Sequence, residues 1–228
     1  MTNERKLRVA GPERLEYEKA YEIQQDLVER CLDSGGEENF LMLVEHPPVI
    51  TIGRSSDGDD LLVSENLLAE RDVEVVETNR GGKLTFHGPG QLVAYPIIDL
   101  RARGRDLHKY LRDLENWLIH LLDEYGIDAG VNPPHTGVWV DDQKIVSIGI
   151  AVRRWISYHG IALNVNNDMS FFELFVPCGL PDVTMVSMGE ILGHELDFDE
   201  VAGRTAETFA GDFDFEHADR ESSIDDWM

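Results

Sequence analysis

Apolar segments that follow one another across short polar turns constrain the fold of this chain most. Residues 137–140 and 144–152 flank the turn Asp141-Asp142-Gln143, an arrangement typical of a β-hairpin. Further strands are predicted over residues 40–44, 49–52, 73–76, 91–98 and 158–165. Because hairpins outnumber strand–helix–strand units, we expect an α+β fold with a mixed, largely antiparallel sheet flanked by helices.

Two amphipathic segments predict the principal helices. In residues 13–33, Ala20, Ile23, Leu27 and Cys31 recur every three or four positions, so Cys31 is expected to pack as a small apolar residue. Residues 106–125 give the clearest helix, with Asp106 as its N-cap. Shorter helices are predicted near residues 169–174 and 199–209. No repeat or long linker interrupts the chain, which indicates one domain over residues 1–228.

The charge balance excludes two classes of partner. Asp and Glu number 44 against 20 Lys and Arg, for a net charge of −24. Nucleic acids and anionic membranes are bound through clustered Lys and Arg, so we expect neither as a partner. Acids spread along the chain with only five lysines are typical of a protein adapted to a salt-rich cytoplasm; an ordinary acidic protein is the alternative.

The ends of the chain and its cysteines point to the cytoplasm. The first residues are charged and lack the apolar core of a signal peptide. No apolar run approaches the ~20 residues of a membrane span. The two cysteines, Cys31 and Cys178, are too few for a disulfide framework.

Common catalytic motifs are missing from the sequence. It contains no GxxxxGK[ST], GxGxxG, HExxH or GxSxG pattern, and its histidines and cysteines lack zinc spacing. Local motifs therefore give no support to a nucleotide-binding, metal-dependent or serine-hydrolase function.

A glycine-rich block and a cysteine carry the remaining chemistry. Residues 80–92, RGGKLTFHGPGQL, hold four glycines, which lets the backbone approach a ligand closely and predicts a binding loop. Cys178 lies between Pro177 and Gly179 in a predicted loop. A lone cysteine is more often inert than catalytic, and a nucleophilic one needs a neighbouring base or cation to supply thiolate. Candidates for that partner are Lys144, Lys83, His87 and His159.

Three blocks in this order and spacing resemble one family. RGGKLTFHGPGQLVAYPIIDL, TGVWVDDQKIVSIGIAVRRWISYHGIALNV and VPCGL are similar to the octanoyltransferases, also called lipoate-protein ligase B. The resemblance implies the fold of the biotin and lipoate protein ligases. It also implies a catalytic core at about residues 13–193, followed by an acidic C-terminal helix and tail over residues 195–228.

The resemblance implies an activity and its partners. Family members move an octanoyl (or lipoyl) group from acyl carrier protein to a lysine of a lipoyl domain, without a cofactor. The expected donor is octanoyl-acyl carrier protein. The expected acceptors are the lipoyl domains of 2-oxoacid dehydrogenase subunits or the glycine cleavage H protein.

The resemblance also assigns the site residues. Cys178 corresponds to the nucleophile that carries the acyl thioester, and Lys144 to the lysine that lowers its pKa and shuttles protons; no residue is expected to bind a metal. His159 is a further candidate, and backbone N–H groups near Cys178 and Gly82 are candidate oxyanion donors. The segments implied to line the acyl site are Arg80, Gly81, Gly82, Lys83, Leu84, Thr85, Phe86, His87, Ser147, Ile148, Gly149, Gly160, Ile161 and Ala162.

Other readings of the sequence stay open. An ATP-dependent lipoate or biotin protein ligase would share the fold without needing Cys178. A non-catalytic acyl-carrier binding module would need neither Cys178 nor Lys144, and a thioesterase would pass the acyl group to water. An acidic partner would be recognised by a basic patch of this chain. Two arginine clusters are candidates: Arg101, Arg103 and Arg105, or Arg153 and Arg154. Each cluster is equally well explained as a solvated surface.

Overall fold

Two β-sheets form the framework of the protein. The computed structural model describes residues 6–56, 60–176, 183–215 and 217–227. The strands are β1 (Lys6–Arg14), β2 (Glu38–Glu45), β3 (Val49–Ile52), β4 (Glu74–Glu77), β5 (Leu84–His87), β6 (Gln91–Ile97), β7 (Gly130–Asn132), β8 (His135–Val140), β9 (Gln143–Arg153), β10 (Ile156–Asn164), β11 (Thr184–Met185) and β12 (His217–Arg220).

The larger sheet is mixed and largely antiparallel, as predicted. Its strands run in the order β12-β1-β2-β6-β10-β9-β8-β7, with β11 added to β9. Pairing is parallel where β1 meets β12 and β2 and where β11 meets β9, and antiparallel along the rest of the path. A smaller sheet, β4-β3-β5, is formed by the segments between β2 and β6.

The helices cover both faces of the larger sheet. They are α1 (Tyr17–Asp33), α2 (Glu65–Glu70), α3 (Leu107–Asp123), α4 (Met188–Leu192) and α5 (Phe198–Asp212), with 3₁₀-helices at Leu100–Arg103, Met169–Leu174 and Ile224–Trp227. The predicted cap of α3 is confirmed, because the Asp106 carboxylate accepts a hydrogen bond from the Lys109 N–H at 3.0 Å.

Alternation along the strands divides the core into two layers. On β2, Leu41 and Leu43 pack toward α3 and α5, whereas Phe40 and Met42 pack toward α1. Cys31 is buried in the α1 layer, as its place on the helical stripe predicts. A third cluster, which includes Phe86, Phe172 and Phe175, joins the smaller sheet to the 3₁₀-helix that begins at Met169.

Three segments differ from the sequence prediction. The predicted helix over residues 13–33 begins only at Tyr17, because Lys6–Arg14 forms the parallel strand β1. Within the predicted glycine-rich loop, Leu84–His87 forms β5. The segment expected as an acidic tail contributes β12, which pairs with β1 at the edge of the larger sheet. These strands were missed because each is short or charged on one face and pairs with a segment distant in sequence.

Helices that could cross a membrane were sought among the described residues. None of them combines the necessary length with the necessary apolar character.

The packing of α3 predicts a graded loss of stability. Leu118 is 0% exposed and Leu107, on the same helix, is 40% exposed. Replacing Leu118 with Ala should lower the free energy of unfolding by about 2–5 kcal/mol through lost burial and a residual cavity. Leu107→Ala should cost less than about 0.5 kcal/mol. Denaturant titrations of both variants in concentrated KCl measure the difference, and equal costs would contradict this packing.

Candidate acyl-binding and catalytic site

The glycine-rich segment lies against the larger sheet through its backbone. The Gly81 N–H donates to the Ile150 carbonyl of β9 at 3.0 Å, and the Gly53 N–H donates to the Lys83 carbonyl at 2.9 Å. A Cβ atom on Gly149 would lie 3.1 Å from the Gly81 carbonyl oxygen, and one on Gly53 would lie 2.3 Å from the Gly82 carbonyl oxygen. The close approach of the two backbones therefore requires glycine at Gly53 and favours it at Gly149.

Arg80 fixes the start of this segment. Its buried guanidinium donates to the Thr51 hydroxyl through Nε at 3.0 Å and to the Thr51 carbonyl through Nη2 at 2.6 Å. Its Nη1 donates to the Gly81 carbonyl at 3.0 Å. Arg80, proposed from the sequence as a lining residue, thus also ties the glycine-rich segment to β3.

A cavity lies between this segment and the strands β9 and β10. Every residue implied by the resemblance to line the acyl site borders it except Phe86, and His159 borders it as well. Sequence reasoning missed three lining residues, which come from α1 and β6: Tyr17, Val93 and Tyr95.

Phe86 lies on the opposite face of β5 from the cavity. Its ring stacks on Phe171 at a centroid distance of 4.6 Å and meets Phe172 edge-on at 5.7 Å. Because side chains alternate along a strand, its neighbours Thr85 and His87 border the cavity while Phe86 joins the core of the smaller sheet. The expectation that Phe86 lines the acyl site is therefore not met.

Buried aromatic and imidazole rings form the end of the cavity near α1. The Tyr17 ring stacks on His87 at 6.1 Å and lies 5.4 Å from the His46 ring. His46 Nδ1 lies 2.6 Å from the Leu15 carbonyl oxygen, so Nδ1 carries the proton, and Nε2 accepts from the Tyr95 hydroxyl at 2.8 Å. His87 Nδ1 lies 2.8 Å from Gln91 Oε1.

These histidines are held in the neutral form. Burial lowers the pKa of His46 to about 4. Burial, assisted by the positive charges of Arg80 and Arg54, lowers the pKa of His159 to about 3. Burial and the neighbouring His46 also hold the pKa of His87 well below its usual range. The walls of the cavity are therefore uncharged at neutral pH apart from Arg80 and Lys83.

Lys144 is buried beside the cavity. It is 3% exposed, at the start of β9, where it pairs with Met185 of β11 and with Trp139 of β8. Its Nζ lies 5.4 Å from the centroid of the Trp139 ring, within the range of a cation–π contact.

A recess that contains Lys144 adjoins the cavity. It is bordered by Lys144, His135 and Leu111 together with five residues that also border the cavity, namely Gly81, Gly82, Lys83, Ile148 and Gly149.

Glu115 lies close to Lys144 and was missed by sequence reasoning. This residue of α3 is fully buried, and its Oε1 accepts from the Gly137 N–H at 3.0 Å. A Cβ atom on Gly137 would lie 2.5 Å from Lys144 Cε. Gly137 thus contacts both side chains, and the Glu115 carboxylate is itself paired with Arg112. A charged residue amid the apolar stripe of α3 is the signal that could have found it.

Cys178 lies outside the described residues, as do its neighbours from Pro177 to Asp182. The described residues on either side are anchored. The Val176 N–H donates to the Asp60 carbonyl at 2.8 Å, and the Val186 N–H donates to the Lys144 carbonyl at 3.0 Å. Burial raises the pKa of the other cysteine, Cys31, to about 12, which keeps it a thiol.

Several cations singled out in the sequence are paired with acids of this chain. Lys83 Nζ lies 3.2 Å from the Asp60 carboxylate. The charge of Lys83 at the rim of the cavity is therefore partly shielded. Arg101, Arg103 and Arg153 form ion pairs with Asp99, Asp113 and Glu29, respectively. These pairs favour a structural role for those arginines over partner recognition.

Metal sites were also sought. No group of three or more His, Cys, Asp or Glu side chains within the described parts of the chain is arranged to hold a metal ion.

The arrangement of sheets and helices defines the class of protein. A crystal structure of lipoate-protein ligase A bound with ATP superimposes with a TM-score of 0.74, covering 98% of this chain and 92% of that one at 13% identity. A lipoate protein ligase from Thermoplasma acidophilum with bound lipoic acid gives a TM-score of 0.73, covering 97% and 91% at 16% identity. The predicted biotin and lipoate ligase-like fold is confirmed.

The sequence narrows this class to a family. Residues 16–210 match the lipoyl protein ligase A/B catalytic domain. An octanoyltransferase from Caldicellulosiruptor saccharolyticus is 45% identical over 206 residues, which span 90% of this chain and 87% of that protein. The chain belongs to the lipoyl protein ligase A/B catalytic domain family, and the predicted acyltransferase class is confirmed.

The neutral histidines predict a loss of stability in acid. Because the pKa of His46 is lower in the folded protein than in the unfolded chain, unfolding takes up a proton as the pH falls below about 6.5. The stability contributed by neutral His46 is complete above that pH and is lost toward its folded pKa of about 4. At about pH 5 the loss should reach roughly 2 kcal/mol.

The measurement compares denaturant midpoints at about pH 7.5 and about pH 5 in constant salt. His46→Gln should show a smaller drop than the wild type, whereas His108→Gln, at an exposed position, should show the same drop. Since all three proteins share the acidic surface, the difference isolates His46. An unchanged drop in His46→Gln would show that this side chain titrates normally.

Proposed function

We propose that this chain transfers an octanoyl group from a carrier-protein thioester to a lysine of a lipoyl domain, with Cys178 as nucleophile and Lys144 as proton carrier. The observation that carries the proposal is the burial of Lys144 in a recess that shares five lining residues with the cavity. The 45% identity to an octanoyltransferase supports the choice of acyl group.

The first half-reaction would form an acyl-enzyme. The Cys178 thiolate attacks the thioester carbonyl of the donor, a new C–S bond forms, and the bond to the carrier sulfur breaks. The Lys144 ammonium gives its proton to the departing thiolate. One thioester replaces another, so the exchange is close to isoenergetic and needs no nucleotide.

The second half-reaction would form the amide. The amine of the acceptor lysine attacks the acyl-cysteine carbonyl, neutral Lys144 takes the proton from the attacking nitrogen, and the Cys178 thiolate leaves. Both charges of the resting pair are thereby restored.

The anchors around residues 177–182 support placing Cys178 near Lys144. The strand β11, which follows these residues, pairs with Lys144 itself. The preceding Val176 is held to Asp60, whose carboxylate pairs with Lys83 at the cavity mouth. Since the Gly81 N–H already donates to Ile150, the Gly82 N–H is the better candidate for an oxyanion donor in this segment.

The cavity supports recognition of an apolar chain. Val93, Ala162 and the Tyr17 ring supply apolar surface to its walls. Burial of each methylene contributes about 0.8 kcal/mol, so a chain of eight carbons is recognised by contact area alone.

The identity of the partners and the location are also proposals. We propose octanoyl-acyl carrier protein as donor, and the lipoyl domains of 2-oxoacid dehydrogenase subunits or the glycine cleavage H protein as acceptors. The scarcity of lysine and the net charge of −24 support a salt-rich cytoplasm as the setting.

Intact mass spectrometry tests the acyl-enzyme directly. The protein, mixed in concentrated KCl with octanoyl carrier protein and neither ATP nor acceptor, should gain one hydroxylamine-labile octanoyl group. Cys178→Ser should gain no such group. Lys144→Ala should form it at least about 100-fold more slowly, because the proton donor is lost.

Two variants serve as controls. Lys109→Ala removes an exposed lysine and Cys31→Ala removes the buried cysteine, and both should acylate like the wild type. If the wild type stays unmodified and octanoylates a lipoyl domain only with ATP and free octanoate, the protein is an ATP-dependent ligase. Release of free octanoate without an adduct or amide would indicate a thioesterase.

A further inference from the structure

Tyr17 is placed to close the acyl cavity at the end away from Lys144. Among the described residues it is the only one that borders both the cavity and a groove on the outer side, which is also lined by Glu18, Tyr21, Thr78 and Asn79. The recess that contains Lys144 meets the cavity at a different set of residues, Gly81–Lys83 and Ile148–Gly149. The order along the site is therefore recess, cavity, Tyr17 and outer groove.

We propose that the ring of Tyr17 sets the maximum length of the acyl chain that this protein accepts. The inference rests on the proposed octanoyl transfer, because it treats the cavity as the acyl site. It adds a specificity-determining residue on α1, outside the three sequence blocks that resemble the family.

Contacts on both sides hold the Tyr17 ring in place. The side chain is 3% exposed, and its hydroxyl donates to Thr78 Oγ1 at 3.1 Å. The ring stacks on His87 with an interplanar angle of 9° and contacts His46 at a tilt. Since His46 and His87 are themselves hydrogen-bonded to buried partners, the ring cannot move aside without disturbing several buried groups.

The surroundings on the two sides of the Tyr17 ring make the site selective for the length of the acyl chain. Each methylene added within the cavity favours binding by about fourfold, until the chain reaches the ring. A longer chain would have to displace Tyr17 toward the outer groove, which is lined by Glu18, Glu77 and Asn79 as well as by Tyr21 and Val76. Overfilling a packed site by even a few methylenes reverses the preference by about tenfold or more.

Thr78, Asn79 and His159 form a polar wall beside Tyr17 and contact one another. Thr78 Oγ1, which accepts from Tyr17, lies 3.5 Å from His159 Nε2, and His159 Nε2 lies 2.7 Å from Asn79 Oδ1. The His159 ring also stacks on Tyr21 at 5.5 Å. Removal of the Tyr17 ring would therefore open a passage beside this wall without removing the wall itself.

The test measures acyl-chain preference in Tyr17→Ala, Tyr17→Phe and the wild type. Carrier proteins loaded with octanoyl, decanoyl or dodecanoyl groups compete for each enzyme, and intact mass reports the adducts formed. The ratio of dodecanoyl to octanoyl adduct should rise about tenfold or more in Tyr17→Ala, because the ring no longer blocks the longer chain. Tyr17→Phe keeps the ring and should keep the wild-type ratio.

Tyr125→Ala is the matched control, since Tyr125 borders a surface depression with Leu192 and His194 and does not border the cavity. The ratio of dodecanoyl to octanoyl adduct in Tyr125→Ala should match the wild type. This result would separate an opened cavity from a general loss of stability. If Tyr17→Ala fails to fold, Tyr17→Leu replaces it and should shift the ratio in the same direction. An acylated, folded Tyr17→Ala or Tyr17→Leu with the wild-type ratio would overturn the proposal, as would an equal shift in Tyr17→Phe.

Calorimetric binding of free octanoate and dodecanoate separates this proposal from the proposed function. If the wild type takes no acyl group from a carrier, the acyl-transfer proposal fails. Stronger binding of dodecanoate to Tyr17→Ala than to the wild type would still support Tyr17 as the barrier. Unchanged binding of both acids would contradict it.

Discussion

The buried guanidinium of Arg80 is the contact on which the site depends. It ties the glycine-rich segment to Thr51 of β3, and the next residue, Gly81, is hydrogen-bonded to Ile150 of β9. The smaller and larger sheets are thereby held at a fixed spacing, and the cavity is the space between them. An apolar residue at position 80 would leave the Thr51 groups unpaired, and a lysine would replace a fork of donors with a single ammonium. The position of every lining residue in the glycine-rich segment follows from this contact.

Burial keeps the imidazoles around the cavity neutral, and a buried cation at one wall adds to that effect. The positive charge of Arg80 adds to burial in lowering the pKa of His87 and His159. Neutral rings can stack and exchange single hydrogen bonds, as Tyr17, His46 and Tyr95 do, without placing further charge beside an apolar chain. Tyr17, His87 and Tyr95 therefore pair with neighbouring polar groups, whereas the buried Ser147 Oγ and His159 Nδ1 have no hydrogen-bond partner among the described residues.

The sequence predicted the parts of the site that are close together along the chain. Blocks around Arg80, Lys144 and Gly160 were recognised through their motifs, and the strands that carry Lys144 and Gly160 were expected as neighbours. Tyr17 was not predicted, because it reaches the cavity from α1 and nothing local marks it as a lining residue. Phe86 does not border the cavity for a simpler reason. Once Leu84–His87 is known to be a strand, alternation places Phe86 on the face opposite Thr85 and His87. The edge strand β12 depends on parallel pairing with β1, between the two ends of the chain, which local patterns do not reveal.

Lys144 differs from an ordinary surface lysine of this chain, because it is buried. Lys109 is exposed and bonds to Asp113 within the same helix, which is the ordinary state of a lysine on an acidic surface. Lys144 is instead enclosed by Trp139, Gly137 and β11 at the rim of a cavity. Burying an ammonium group costs several kcal/mol unless nearby groups compensate, and an apolar residue of similar size would fill the same space without that cost. The Trp139 ring, which lies against the Lys144 ammonium, offsets part of that cost. The remaining cost is what the proton carrier proposed for Lys144 would require in stability, in a chain where lysine is otherwise scarce.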